Sequence, residues 1–195
     1  MKNIIIVSAI TLGFTISMTA QTDKETHLKK DMKNLDKREA AIKKEKQEVR
    51  KELRKLEGEE VSAEAKQHFD TDFIATTDAR WERTAHFDEV AYTKDGQMSK
   101  AYYDTDTKLV GTTSNRTFEE LPAKAQKTIN RKYRSYKSGD VILFHDNEFN
   151  RSNMVLYNQQ FMDNNNYFVE MKSENKRIVL RVNMEGDVFY FTQTK

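Results

Sequence analysis

Four histidines, His27, His68, His86 and His145, are the side chains best suited to move a proton or hold a metal near neutral pH. None belongs to an HExxH or another close pair, and a zinc site needs three or four ligands converging from separate elements. The chain has no cysteine, which removes disulfides, thiolate metal sites and a thiol nucleophile. GxSxG, P-loop and GxGxxG patterns are absent. The densest polar cluster, His145-Asp146-Asn147-Glu148, reads as a solvated strand end and turn. Asp104, Asp106 and Thr107 have the look of a calcium loop, but Leu109 and Asn115 stand where that loop needs Gly and Glu. Asp70, Asp72 and Asp163 read as turn residues. Asn115-Arg116-Thr117 and Asn150-Arg151-Ser152 match glycosylation sequons, a pattern common by chance. The sequence therefore points to no catalytic residue, no cofactor and no metal. Carboxylate pairs assemble only in space, so an uncharacterised hydrolase stays open as a third reading.

Aromatic residues are the more informative group. Tyr102 and Tyr103 are neighbours, so on a strand they face opposite sides of the sheet. Val188, Phe189, Tyr190 and Phe191 are apolar on both faces, as a strand covered on both sides would be. A helix can cover one face. The other must meet a sister module, the N-terminal arm or a partner, and packing between modules is the favoured expectation because buried aromatics are usually core. Tyr102, Phe189 and Phe191 are the candidate binding surface on the sheet.

The elements that carry these residues follow from periodicity. Asp23 to Glu60 has no aromatic and no proline. Leu28, Leu35, Ile42, Val49 and Leu56 recur every seven residues, with Met32, Glu39, Lys46 and Leu53 at the companion positions. Such alternating spacings put all nine on one stripe of a helix, the seam of a coiled coil. At 1.5 Å per residue this arm, residues 23–60, spans about 57 Å. Glu39 and Lys46 interrupt the seam, so two readings stay open: self-association or docking through the five apolar residues, or a lone helix held by i,i+4 charge pairs. Gly58-Glu59-Glu60 is expected to be a hinge.

Ahead of the arm, residues 1–20 read as a secretory signal. Lys2 is the basic start, Ile4 to Ile16 the apolar run, and Ala20 the small residue before cleavage at Gln21. The run is short for a membrane span, which needs about 20 residues. The expected location is periplasmic or secreted, with no stable membrane insertion after cleavage. Lysine and arginine number 33 against 31 acidic residues, a balance that argues against nucleic acid as a partner.

Behind the arm, a pattern occurs twice. Val61, Ala63, Ala65, Phe69 and Phe73 match Leu121, Ala123, Ala125, Ile129 and Tyr133 at an offset of 60, each set an apolar helical stripe. Period-two segments follow both. In the first copy they are Arg80–Ala85, Phe87–Thr93, Met98–Asp104 and Lys108–Thr113. In the second they are Val141–His145, Met154–Met162, Tyr167–Lys172, Arg177–Val182 and Val188–Thr192. Gly96, Tyr103 and Leu109 match Asn175, Val182 and Val188 at an offset of 79, so the second copy gains 19 residues between Ser138 and Asn166. The fold class is α+β: two tandem modules, 61–118 and 119–195, each a helix plus an antiparallel meander, preceded by a long N-terminal helix.

The helix-then-meander order, Trp81 after the first helix, the Leu121-Pro122 helix start, the Tyr102-Tyr103-Asp104 strand end and the Gly186-Asp187-Val188 turn resemble the PepSY-like, beta-lactamase-inhibitor-like periplasmic proteins. The resemblance covers Val61 to Lys195. It implies a tandem α+β fold, export, and a non-catalytic role in inhibition or ligand binding. The beta-lactamase inhibitor has disulfides and this chain has none, and no loop here matches its inhibitory contacts residue by residue. No functional residue is carried over, and no beta-lactamase target follows.

The leading expectation is thus an exported, non-enzymatic binding or inhibitor-like protein that recognises a protein or peptide through its antiparallel sheets. The alternative is a structural or assembly protein of the cell envelope acting through the coiled-coil arm, with a weak homodimer as its partner state.

Overall fold

The computed structural model describes residues 13–150, 152–162 and 164–194, and gives the backbone alone for 13–23, 43, 47 and 57. Of the expected export signal, residues 1–12 lie outside the described residues. The first element is helix α1, Gly13–Glu57. The chain divides into two compact units between Lys46 and Gln47, so α1 begins in the first and ends in the second. Along α1, charges pair at helical spacing: Glu25 with Lys29 at 2.6 Å, and Glu52 with Lys55 at 2.6 Å. Leu28, Leu35, Ile42, Val49 and Leu56 are all exposed, as are Met32 and Leu53. Gly58 ends the helix at φ +84, a conformation that glycine adopts without steric cost.

The second unit holds an α+β fold in which a helix followed by four strands of the main sheet occurs twice. Helix α2 (Ala63–Asp72) precedes β1 (Thr77–Arg83), β2 (Asp88–Lys94), β3 (Gln97–Tyr103) and β4 (Leu109–Arg116). Helix α3 (Ala123–Lys132) precedes β5 (Lys137–Asp146), the short β6 (Val155–Leu156) and β7 (Gln159–Gln160), then β8 (Asn166–Lys172), β9 (Arg177–Asn183) and β10 (Val188–Thr194). Ser62 caps α2 by accepting from the Ala65 N–H, and Pro122 opens α3. All main strands join one antiparallel sheet in the order β1-β2-β3-β4-β5-β8-β9-β10.

Both helices lie on the same side of that sheet. Ala101 pairs with Thr112, and Thr112 with His145, which shares a face with Leu143 by strand alternation. Ala101 packs with Ala65 and Phe69 of α2, while Leu143 packs with Ala125 and Ile129 of α3. The opposite face is covered in part by the segment between β5 and β8. Its β6–β7 hairpin turns on Tyr157 and Asn158, both at positive φ, and lays Phe161 against Phe144 and Phe168 at ring distances of 5.1 and 4.8 Å.

Two expectations need correction, and the joining of the two meanders needs restating. Met154–Met162 does not form one strand of the sheet: it folds into the β6–β7 hairpin, because its apolar residues cap the sheet face rather than extend it. The two meanders share an apolar cluster on the helix-free face, where Phe87, Tyr102 and Val110 meet Phe144, Phe161 and Phe168, without forming separate sheets. They join edge to edge through β4 and β5, which satisfies backbone groups that each meander would otherwise leave open. And β10, read as covered on both sides, is the last strand of the sheet, with Phe189 and Tyr190 exposed.

Candidate functional site: a groove on the helix-free face

The side of the sheet away from the helices carries a groove of about 360 Å³ between the start of β2, the end of β3 and the tip of the β6–β7 hairpin. Tyr102 and Phe87 line its apolar part, their rings edge to face at 5.8 Å. Lys100 donates to Glu89 at 3.4 Å along one wall. Leu156 and Tyr157 form the other. The Tyr157 hydroxyl donates to Glu170 at 3.4 Å; burial first, then the Glu170 charge, push its ionisation far above the ordinary range. Tyr102 is held neutral in the same way by burial, and its hydroxyl shares a hydrogen bond with Thr113 at 3.1 Å. This is a neutral aromatic trough with one ion pair on its rim.

Thr84, the one hydroxyl at the entrance beside His86, donates to the Phe87 carbonyl and accepts from the His86 and Phe87 N–H groups, so it is occupied as a turn residue. Burial, then the nearby Lys51 and Arg54 charges, lower the His86 pKa against the pull of Glu48, which favours a neutral ring at pH 7. Among the described residues no three His, Asp or Glu side chains converge as a metal site.

The loops at this end of the sheet are fastened by two buried carboxylates. Asp88, 1% exposed, accepts at Oδ1 from Arg54 (2.6 Å) and Arg83 (2.8 Å), and at Oδ2 from Arg83 (2.9 Å) and the Ser62 N–H (3.1 Å). Burial would raise its pKa, but the Arg83 and Ser62 hydrogen bonds and the two guanidinium charges outweigh that and hold it below the usual carboxylate range. Arg54 also donates to the Tyr103 carbonyl at 3.2 Å. The expected hinge at Gly58–Glu60 is therefore bridged: α1 is tied to β2 and β3, and Arg83 donates to the Gly58 carbonyl itself. Asp104 is the second fastening. Its Oδ1 accepts from the Asp106 and Lys108 N–H groups, and its Oδ2 from Asn150 Nδ2 (3.1 Å) and Ser152 Oγ (2.8 Å). That saturation makes it a turn and anchor residue, and it ties the Asn147–Asn165 segment down. Asn150 is buried in these bonds, so its sequon offers no accessible amide.

The sheet residues singled out from sequence share the helix-free face, where Tyr102 and Phe191 join one apolar cluster, but they differ in exposure. Tyr102 is 5% exposed and serves as groove lining, because Phe87 packs against it and the hairpin tip borders the same groove. Phe191 is half-buried against Phe168 at 4.9 Å. Phe189 is exposed at the sheet edge with the Arg181 guanidinium 5.3 Å from its ring. Tyr102 and Tyr103 do face opposite sides, as alternation requires. Sequence reasoning passed over Arg54, Asp88, Lys100 and Tyr157. Nothing in the linear pattern marks Arg54, since 34 residues separate it from Asp88. The Tyr157-Asn158 turn was hidden inside an apolar run.

No family model matches this chain, and no curated protein does. Solved structures do. A BLIP-like protein from Bacteroides fragilis aligns at 14% identity and a TM-score of 0.54, covering 69% of this chain and 87% of that one. A DUF2874 family protein from Bacteroides uniformis aligns at 11% identity and 0.55, over 67% and 87%. A protein from Bacteroides eggerthii, provisionally described as periplasmic, aligns at 10% and 0.55, over 69% and 88%. At such identities the likeness is one of fold, which agrees with the α+β class read from the sequence.

Proposed function

We propose that this is an exported, non-catalytic binding protein, inhibitor-like in architecture, built from two PepSY-like modules and recognising a protein or peptide on its antiparallel sheet. The observation that carries the reading is the groove beside the hairpin. It offers apolar aromatic area, one ion pair, and the Tyr157-Asn158 turn, both residues at positive φ. The fold likeness to a BLIP-like protein supports a recognition role over a catalytic one, and a periplasmic or secreted location fits both the signal pattern and the provisional description of the B. eggerthii protein. Among the described residues no helix is long and apolar enough to cross a membrane.

A second reading, assembly through the arm, is favoured by a separate observation. Seven apolar residues of the α1 stripe, from Leu28 to Leu56, are exposed together. Isolated exposed leucines are ordinary, but a heptad-spaced row is the signature of a partnered helix.

One experiment separates the two. The full mature chain is used as bait in envelope extract beside two variants: a groove variant (Lys100→Glu with Leu156→Asp) and an arm variant (Ile42→Asp). Loss of a specific protein with the groove variant alone supports sheet recognition. Loss with the arm variant alone moves the function to the arm.

A further inference from the structure

The last turns of α1 are docked by one flank. Arg54 is buried against Asp88 and the Tyr103 carbonyl, and Arg50, one turn earlier, lies 3.8 Å from Asp106. Val49, Leu53 and Leu56 belong to the same turns and are exposed. Helical phase accounts for the difference, since the apolar stripe stands about 110° around the helix from Arg50 and Arg54. The sheet therefore holds these turns without covering their stripe.

The charges beside the stripe decide what can cover it. Spacings of four and three put Leu28, Leu35, Ile42, Val49 and Leu56 at the d positions of a heptad, and Met32, Glu39, Lys46 and Leu53 at a. In a parallel pair of arms, each g residue faces the e residue five places further on in the other copy. By sequence this sets Asp31 against Asp36, Arg38 against Lys43 and Glu52 against Glu57, with Glu45 against Arg50 the one favourable pair. Glu39 and Lys46 would also each meet their own copies in the core. A parallel pair is repelled along its whole length.

We propose that the stripe takes a second copy of this chain, antiparallel, in the register that sets Glu39 level with Val49 and Lys46 level with Ile42 of the other copy. Position a faces d throughout, so Met32 meets Leu56 and Leu35 meets Leu53, and neither core charge meets its like. Glu39 and Lys46 of opposite copies fall in adjacent layers, about 4.5 Å apart along the axis. On the flanks g faces g and e faces e. Arg38 thus meets Glu52, and Asp36 meets Arg50, twice each by symmetry. Residues 43 and 45, beside the two-fold axis, face their own copies, which offsets part of this gain. The register one heptad away, with Glu39 level with Ile42, is poorer: its favourable pairs are cancelled by Asp31 against Glu52 and Lys29 against Arg50. The inference rests on the assembly reading above and names its partner.

The chain has no cysteine, so introduced thiols report the pairing alone. Full mature chains carrying Glu39→Cys and Val49→Cys, one enlarged by a tag, are mixed at low salt and oxidised. The expected product is the mixed disulfide, in excess over either self-joined species. Glu39→Cys joined to itself reports a parallel pair, and Glu39→Cys joined in preference to Ile42→Cys reports the other register; either result overturns the proposal. Sedimentation of the full mature chain gives an independent reading. Arg38→Glu should weaken association by about tenfold, and adding Glu52→Arg should restore it. In a parallel pair Arg38→Glu would instead strengthen association by removing the clash with Lys43, and that outcome also overturns the proposal. A chain that stays monomeric at high concentration overturns it too, whereas assembly with a different protein is then judged by capture with the Ile42→Asp bait, so the two ideas fail separately.

Discussion

Arg54, in the last turn of α1, donates from Nη1 to Oδ1 of Asp88 at 2.6 Å, and both side chains are buried. A helix end that composition marks as solvated is thereby sewn into the start of β2. Buried ion pairs are poor sources of net stability, but breaking one strands a charge.

Replacing Asp88 with Asn should therefore cost about 3–5 kcal/mol, since two guanidinium groups lose their counter-charge. Arg54→Ala should cost less, about 1.5–3 kcal/mol, because Asp88 keeps Arg83 and the Ser62 N–H. Urea denaturation of the three proteins measures both. Equal stability of all three would mean that the pair contributes nothing. A chain beginning at Val61 should likewise be less stable than one that retains residues from Gln47.

The same carboxylate sets an acid limit. Its folded pKa lies below the unfolded value, so the stabilisation is complete above about pH 4 and is lost as pH falls through the folded pKa. Acid titration followed by the near-ultraviolet signal of Trp81 should show a transition that moves or disappears in Asp88→Asn.

Gly111 lies where β4 pairs with β5. A Cβ there would stand 2.5 Å from the His145 carbonyl oxygen and 2.6 Å from the Phe144 ring. Gly111→Ala should lower stability by about 1–3 kcal/mol through overpacking, visible as a fall in the melting temperature. An unchanged melt would show that β4 and β5 part easily.

Asp104 holds the Asn147–Asn165 segment through Asn150 and Ser152. Asn150→Ala with Ser152→Ala should speed limited proteolysis within that segment while the circular dichroism of the sheet persists. Loss of the whole fold would instead make the segment part of the core.

The arm has its own test. Antiparallel pairing of two arms relieves the repulsion that Glu39 and Lys46 would meet opposite their own copies in a parallel pair. Light scattering across concentration and salt should reveal weak association, abolished by Ile42→Asp and retained when Glu39→Lys is combined with Lys46→Glu. A strictly monomeric chain at high concentration would leave the exposed stripe to a different partner.

What was legible in the sequence was what depends on neighbours a few residues apart. The stripe from Ala65 to Phe69 marked a helix, alternation around Tyr102 and Tyr103 marked a strand with two faces, and the offset of 60 between α2 and α3 is the offset of their first residues. The extra length between Ser138 and Asn166 also falls where β5 gives way to β8.

Local pattern determined the element types, because helical and strand periodicities are written in adjacent side chains. It did not determine which strand edges meet or which face stays open. Joining β4 to β5 makes one sheet of two meanders, folding Met154–Phe161 back over Phe144 and Phe168 buries a face, and threading Arg54 onto Asp88 closes the arm's end. Each of these joins groups far apart in the chain, a balance of backbone pairing, apolar burial and paired charge that only the assembled tertiary structure can settle.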